Sequence, residues 1–284
     1  MLFLEQVLRA GARPYEGRFW RNCDKRATWG APCMIPRWHI GAKELRGAIA
    51  AYAKRFDLLE VRIAIDAPGG ADPTAAVPSL ATLRRWRKSV PPHFDFAVVA
   101  GPHLSRVKAS DAGDREFEAA RAAVDALQAR CFVLRTPLEV TPSPLWRDRV
   151  AKIIERFPRD VTHFVWEPSG VWETADAAAQ ARAWEVVLAV DPARDPVPAG
   201  PVAYLRLRAL GETRSFGPVA LEKVVRAVGA RREVFAIVET DTALVEAKRL
   251  RHAAKSARAG ARVGGGARLV RPRGGIVVGD DEQE

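Results

Sequence analysis

The sequence predicts a parallel (β/α)8 barrel, the TIM-barrel architecture, on three observations. Short continuous apolar runs recur along the chain, and almost every one is followed by a stretch with helical spacing. That combination marks strands buried on both faces of a parallel sheet. Eight such units occupy roughly 215 residues, near the usual size of about 250 for this barrel. No G-x-G-x-x-G follows the first run and no Walker-type loop occurs, which weakens the competing doubly wound sheet and leaves no cofactor expected.

Taken in order, residues 1–34 lack periodicity and scatter Arg, Gly, Trp and Pro, so they read as a weakly ordered N-terminal extension. The barrel is expected over 35–255. Its first strand spans Pro36 to Gly41, followed by a helix from Lys43 to Phe56 with Leu45, Ala48, Ile49, Tyr52 and Phe56 on one side. Leu58 to Ile63 is strand two, ended by a Pro/Gly-rich loop from Asp66 to Pro78. Ser79 caps a helix reaching Ser89 that turns Leu80, Leu83 and Trp86 to one face.

Phe94 to Ala100 is strand three, and the alanine-rich segment Arg115 to Ala129 is a helix by propensity. Strand four, Cys131 to Arg135, stops near Pro137. Pro144 sits in the first turn of the next helix, which runs to Phe157. Phe164-Val165-Trp166 then carries a carboxylate, Glu167, to a break at Pro168-Ser169-Gly170. A helix from Thr174 to Trp184 leads to strand six at Val186 to Val190.

Between Pro192 and Pro201 a proline-rich loop replaces the sixth helix. Strand seven is Val202 to Leu207, the next helix Pro218 to Val228, strand eight Glu233 to Val238, and the closing helix Thr240 to Lys255. Residues 256–284 read as a disordered tail, basic and then acidic.

The net charge of +11 is concentrated at the ends. Residues 1–38 hold seven basic and three acidic side chains, 39–247 hold 29 and 27, and 248–273 hold nine and none. The basic tail suits electrostatic contact with nucleic acid, although a solvated, disordered extension is the favoured explanation, and no aromatic residue between Lys248 and Arg273 offers a stacking platform. Three scattered cysteines suggest reduced thiols in a cytoplasmic protein. No apolar run is long enough to span a membrane, and charge arrives too early at Glu5 for a signal peptide, so no membrane partner is expected.

Several segments resemble the YecE-like proteins, the domain of unknown function 72. Tyr52-Ala53-Lys54-Arg55-Phe56 through Glu60-Val61 is similar to that family's Y-A-x-x-F-x-x-V-E. Leu83-Arg84-Arg85-Trp86 with Pro91 to Val98 resembles its R-W and P-x-x-F-x-F-x-V segment. Phe132 to Pro137, Phe164 to Pro168 with Trp172, and Ala203 to Arg206 resemble three further strands. The likeness runs in order over about residues 35–255 and implies a barrel whose polar residues line the strand ends. The departures fall at those ends. Trp38 to Lys43 replaces the family's opening G-x-x-G-W, and Ala100-Gly101-Pro102-His103 its lysine after strand three. Arg135 stands for a glutamine, Pro168 for an arginine, Arg206-Leu207-Arg208 for a strand bearing a histidine, and Val238-Glu239 for an asparagine pair.

In such a barrel the C-terminal strand ends form the site. Those ends offer Glu167, Glu60 and Glu239 as catalytic candidates. Arg62, His103, Arg135, Trp172, Arg206, His39 and Lys43 are the candidates for ligand binding, and Asp191 and Arg208 stand at strand ends as well. Carboxylates beside arginines and an aromatic wall suit an anionic or polyhydroxylated small molecule. Glu167 is the first choice as general acid or base. Interior salt bridges, Glu60 with Arg62 for example, are the structural alternative.

No H-x-H, H-E-x-x-H or G-x-S-x-G occurs, so neither a metal nor a serine nucleophile is expected, and His93, His163 and His252 read as surface or packing residues. Trp86, Trp146 and Trp184 read as core. The expected function is a metal-independent hydrolase or lyase. The alternatives are a phosphodiester-cleaving barrel associated with nucleic acid, or a barrel that binds a ligand without catalysis.

Overall fold

A computed structural model describes residues 36–64, 78–158, 162–209 and 215–264, with side chains as far as 257. The N-terminal extension, most of the Asp66–Pro78 loop and the tail beyond 264 lie outside the described residues. Eight parallel strands, β1 (Arg37–Ala42), β2 (Leu58–Arg62), β3 (Asp95–Val99), β4 (Cys131–Arg135), β5 (His163–Glu167), β6 (Val187–Val190), β7 (Val202–Leu207) and β8 (Glu233–Val238), close in sequential order into one barrel. The wall is built from α1 (Ile49–Tyr52), α2 (Leu80–Ser89), α3 (Pro102–Ser105), α4 (Asp111–Leu127), α5 (Pro144–Arg156), α6 (Thr174–Ala183), α7 (Pro218–Val228) and α8 (Ala243–Gly264).

Alternation along each strand separates two apolar layers. Side chains such as Ile40, Leu59, Phe96, Phe132, Phe164, Trp166 and Leu205 pack outward among the helices in one large cluster. The alternate set, Leu58, Ala97, Val99, Cys131, Val133, Val165, Ala189, Tyr204, Phe235 and Ile237, fills the lumen as a second cluster. A strand wetted on neither face needs apolar residues at successive positions, which is why these strands appear in the sequence as unbroken hydrophobic runs. The parity also assigns the strand ends. Glu60 lies two residues beyond Leu58, Arg135 beyond Val133, Glu167 beyond Val165, Arg206 beyond Tyr204 and Glu239 beyond Ile237, so all five continue the inward-facing set.

Local chemistry accounts for most element ends. The Ser79 hydroxyl accepts the Thr82 N–H at 3.2 Å and caps α2, and Ser110 does the same for α4 with Gly113 at 3.1 Å. Pro144 and Pro218 occupy the first turns of α5 and α7. The proline-rich segment between β6 and β7 carries no helix, as expected.

Three expectations need correction. The helix expected from Lys43 to Phe56 shrinks to the single turn α1, because Gly47 sits at φ +80 and Ala48 is extended. The short helix α3 was not anticipated, since its four residues are too few to show a period. Helix α8 continues to Gly264, past the expected boundary at Lys255, so the tail begins as helix. No helix among the described residues is long and apolar enough to cross a membrane.

Candidate functional site

The C-terminal mouth of the barrel holds three glutamates and three arginines joined as one network. Arg206, on β7, is only 1% exposed and forms its centre. Its Nε donates to Glu167 Oε2 at 2.9 Å, and its Nη1 donates to Glu60 Oε2 at 2.7 Å and lies 3.3 Å from Glu239 Oε1. Arg208, two residues on, donates from Nη2 to Glu167 Oε1 at 2.6 Å and from Nε to Glu239 Oε2 at 3.0 Å. Arg135 at the end of β4 brings its Nε to 3.2 Å from Glu167 Oε2. The Tyr204 hydroxyl completes the set by donating to Glu60 Oε1.

A guanidinium buried this deeply is tolerable only when its charge is matched and its donors are satisfied. Three carboxylates against three guanidiniums supply that match. The effect on Glu167 is the decisive electrostatic feature. Burial pushes its pKa up, but Arg206, then Arg135 and Arg208, push harder in the other direction and hold the carboxyl below its ordinary range. Glu167 is therefore a carboxylate at neutral pH. An ionised carboxylate can accept a proton but has none to donate. Burial pushes the Tyr204 hydroxyl well up, and the adjacent Glu60 adds to that, so Tyr204 stays a neutral donor. Asp191, at the end of β6, behaves in the opposite way to Glu167. Burial raises its pKa against a hydrogen bond from the Ala193 N–H to its Oδ1 at 3.0 Å.

The structure thus brings together Glu60, Glu167, Glu239, Arg135 and Arg206 from the expected set. Arg62 stands at the rim of β2, exposed and without an ion pair among the described residues, so the Glu60–Arg62 bridge does not form. Lys43 is exposed beyond β1. It shares with Glu239 the lining of a cavity of about 360 Å³ beside the mouth. His103 is partly exposed on α3 and outside the network described above.

His39 requires a correction. It lies midway along β1, in register with Phe235, and not at the C-terminal end of the strand. There it is 1% exposed, stacks on Phe235 at 4.8 Å and pairs through Nδ1 with Asp95 at the start of β3. Near it, Glu233 accepts from Arg130 at 2.7 Å and faces His163 at 3.4 Å. These pairs occupy the N-terminal half of the lumen, the half concerned with stability in this fold.

Trp172 belongs to the outer layer. Its indole N–H donates to the Val140 carbonyl at 2.7 Å and its ring meets Trp166 edge-on at 4.8 Å. One member of the mouth network, Tyr204, was not singled out from sequence as a site residue, whereas Arg208 was read among the strand ends. The signal available for Tyr204 was its spacing of two from Arg206 on a single strand.

Among the described residues no three His, Cys, Asp or Glu side chains are grouped to hold an ion. Each mouth glutamate is already engaged by a guanidinium, so this donor set does not suit a divalent cation.

The profile of the family described as "Protein of unknown function DUF72" matches residues 36–267. The chain belongs to the DUF72 family. No curated protein matches it. Among solved structures, this DUF72 barrel is similar to a DUF72 family protein from Enterococcus faecalis, at 14% identity over 77% of this chain and 96% of that one, with a TM-score of 0.61. It is also similar to a DUF72 family protein from Thermotoga maritima, at 14% identity over 76% and 98% of the two chains, with a TM-score of 0.55. A xylose isomerase domain-containing protein from Salmonella typhimurium follows at 13% identity over 81% and 98%, with a TM-score of 0.51. At these identities the likeness to the solved structures is one of fold, a closed barrel of eight parallel strands.

Proposed function

We propose that the mouth of this DUF72 barrel binds a small anionic molecule, with sugar acids and sugar phosphates the class that suits it. One observation carries the reading. Arg135 and Arg208 are both anchored on Glu167, yet their side chains remain 36% and 39% exposed. A guanidinium has five N–H donors in a fixed fork. Arg135 commits Nε to Glu167, and Arg208 commits Nε and Nη2 to Glu239 and Glu167, so each keeps donors for an oxyanion. Glu239, at 13% exposure, adds an acceptor for a neighbouring hydroxyl.

If the ligand reacts, an ionised Glu167 supports elimination over hydrolysis. Protonating a leaving group needs a carboxylic acid, and Glu167 is not one. As a base it takes the proton α to a ligand carboxylate. The C–H electron pair moves into that carboxylate, where the guanidiniums stabilise the added charge, and then returns to expel a β-substituent that departs as a stable anion, such as phosphate, and so needs no proton from Glu167. A second reading, a barrel that binds without catalysis, is favoured by Glu167 Oε2 already meeting both Arg206 and Arg135.

Titration calorimetry of sugar acids and sugar phosphates tests the binding. We expect Arg208→Gln to weaken the best ligand about ten- to a hundredfold, matching the loss of a charge-assisted hydrogen bond of about 1.5–3 kcal/mol. Binding that is unchanged in both Arg135→Gln and Arg208→Gln overturns the proposal. Proton NMR of the same ligand then separates the two readings: turnover abolished by Glu167→Gln supports the elimination, and binding without turnover in the parent protein supports the non-catalytic barrel.

A further inference from the structure

Cationic charge is unevenly distributed on the helical wall. Helix α8 buries Ala247 and Leu250 against the barrel and leaves Lys248, Arg249, His252 and Lys255 exposed. At about 100° per residue these four fall on one arc of the helix. The last acid of α8 is Glu246, which is buried and occupied by the Phe216 N–H at 2.7 Å and the Thr242 hydroxyl at 3.1 Å. Just past α1, Lys54 and Arg55 are exposed, and Arg251 of α8 reaches Asp57 at 2.8 Å, tying the two elements into one surface.

Lys54, Arg55, Lys248, Arg249 and Lys255 enter no ion pair among the described residues. On α4 and α5, by contrast, exposed cations have acidic partners: Arg156 with Asp114, Lys152 with Asp148 and Arg121 with Glu118. A row of like charges without counter-charges repels itself, and a polyanion that displaces its own counterions relieves that repulsion. Lys248 to Lys255 covers about 10 Å of helix, the span of about three phosphates along one strand of a B-form duplex. No Phe, Tyr or Trp lies among the exposed positions of α8, and the one imidazole, His252, gives no platform on which successive bases stack.

We propose that the α1–α8 face of the barrel wall binds the phosphate backbone of double-stranded nucleic acid without reading its sequence. Arg55 also borders the cavity that Glu239 lines, but none of these five cations belongs to the mouth network, so the proposal does not depend on what the mouth binds.

Fluorescence anisotropy of the full chain with a mixed-sequence DNA duplex, repeated over a series of KCl concentrations, is the test. The logarithm of the affinity should fall linearly with the logarithm of salt. The variant K248E/R249E/K255E should lose at least about tenfold in affinity, with the slope reduced by about three. The charge-matched variant R121E/K152E/R156E, on exposed positions of α4 and α5 whose cations have acidic partners, should keep the parent slope. Equal losses in the two variants would mean that net charge alone governs binding and would overturn the proposal. Tighter binding to single strands than to the duplex, or binding to phosphatidylserine vesicles with none to the duplex, overturns it as well.

Discussion

Arg206 and Glu167 meet across the mouth of the barrel at 2.9 Å from Nε to Oε2, with the arginine almost fully enclosed. The pair is the hinge of the site's electrostatics, because the same guanidinium also holds Glu60 at 2.7 Å. Removing one partner of a buried ionic cluster leaves the others uncompensated. We expect Arg206→Met to destabilise the protein by about 3–5 kcal/mol. Urea unfolding checks it, and a midpoint within error of the parent would show that the cluster is not electrostatically coupled.

Glu167 and His163 both make the protein acid-sensitive, with the same sign, and Glu233, held down against burial by Arg130, adds to the acid limb. The Glu167 pKa is depressed by its three arginines against burial, so its contribution is present above the unfolded value of about 4.3 and is lost as pH falls through the folded one. The His163 pKa is depressed by burial against its Glu233 partner, so stability falls as pH drops below about 6.5 and the unfolded chain takes up the proton first. Thermal melts across pH should show both losses. Glu167→Gln should flatten the lower limb and His163→Asn the upper.

Gly101 is required by space. A Cβ there would sit 2.2 Å from the Ile63 carbonyl oxygen and 2.4 Å from the Glu116 carboxyl carbon, whereas one at Gly217 would meet nothing within 4 Å. We expect Gly101→Ala to destabilise by more than about 2 kcal/mol and Gly217→Ala by less than about 1 kcal/mol, the modest loss of a glycine N-cap. Paired denaturation curves decide it, and similar costs at the two positions would contradict the close approach.

Trp172 serves packing. Its indole N–H satisfies the Val140 carbonyl, and its ring is covered by the Arg147 guanidinium at 5.3 Å. Trp172→Phe should cost about 1 kcal/mol of stability while leaving affinity for anions at the mouth unchanged. Calorimetry on the variant, set beside its melting curve, separates packing from ligand contact.

The strands were legible because burial on both faces turns each into an uninterrupted apolar run. Strands β7 and β8 and helix α7 fall at their expected limits. Helix α1 was not legible, since its expected apolar spacing crosses Gly47, whose positive φ becomes apparent only in the folded backbone. At the mouth, position in the sequence pointed to Glu60, Glu167, Glu239, Arg135 and Arg206, because a charge ending a buried run has nowhere to go but the rim. The partners remained hidden. Tyr204 lies 144 residues from the Glu60 it serves, and Arg206 lies 39 from Glu167. His39 shows the limit most plainly, because a strand of six residues places a histidine in either half of the lumen according to a register set by β8.

By itself, then, the sequence determined the number, order and buried character of the strands, because hydrophobic patterning is a local property that each run expresses alone. Only the tertiary structure decided which charges meet, and with that the protonation of Glu167. The Coulomb interaction depends on distances of a few ångströms between side chains from different strands, and closure of the barrel sets those distances.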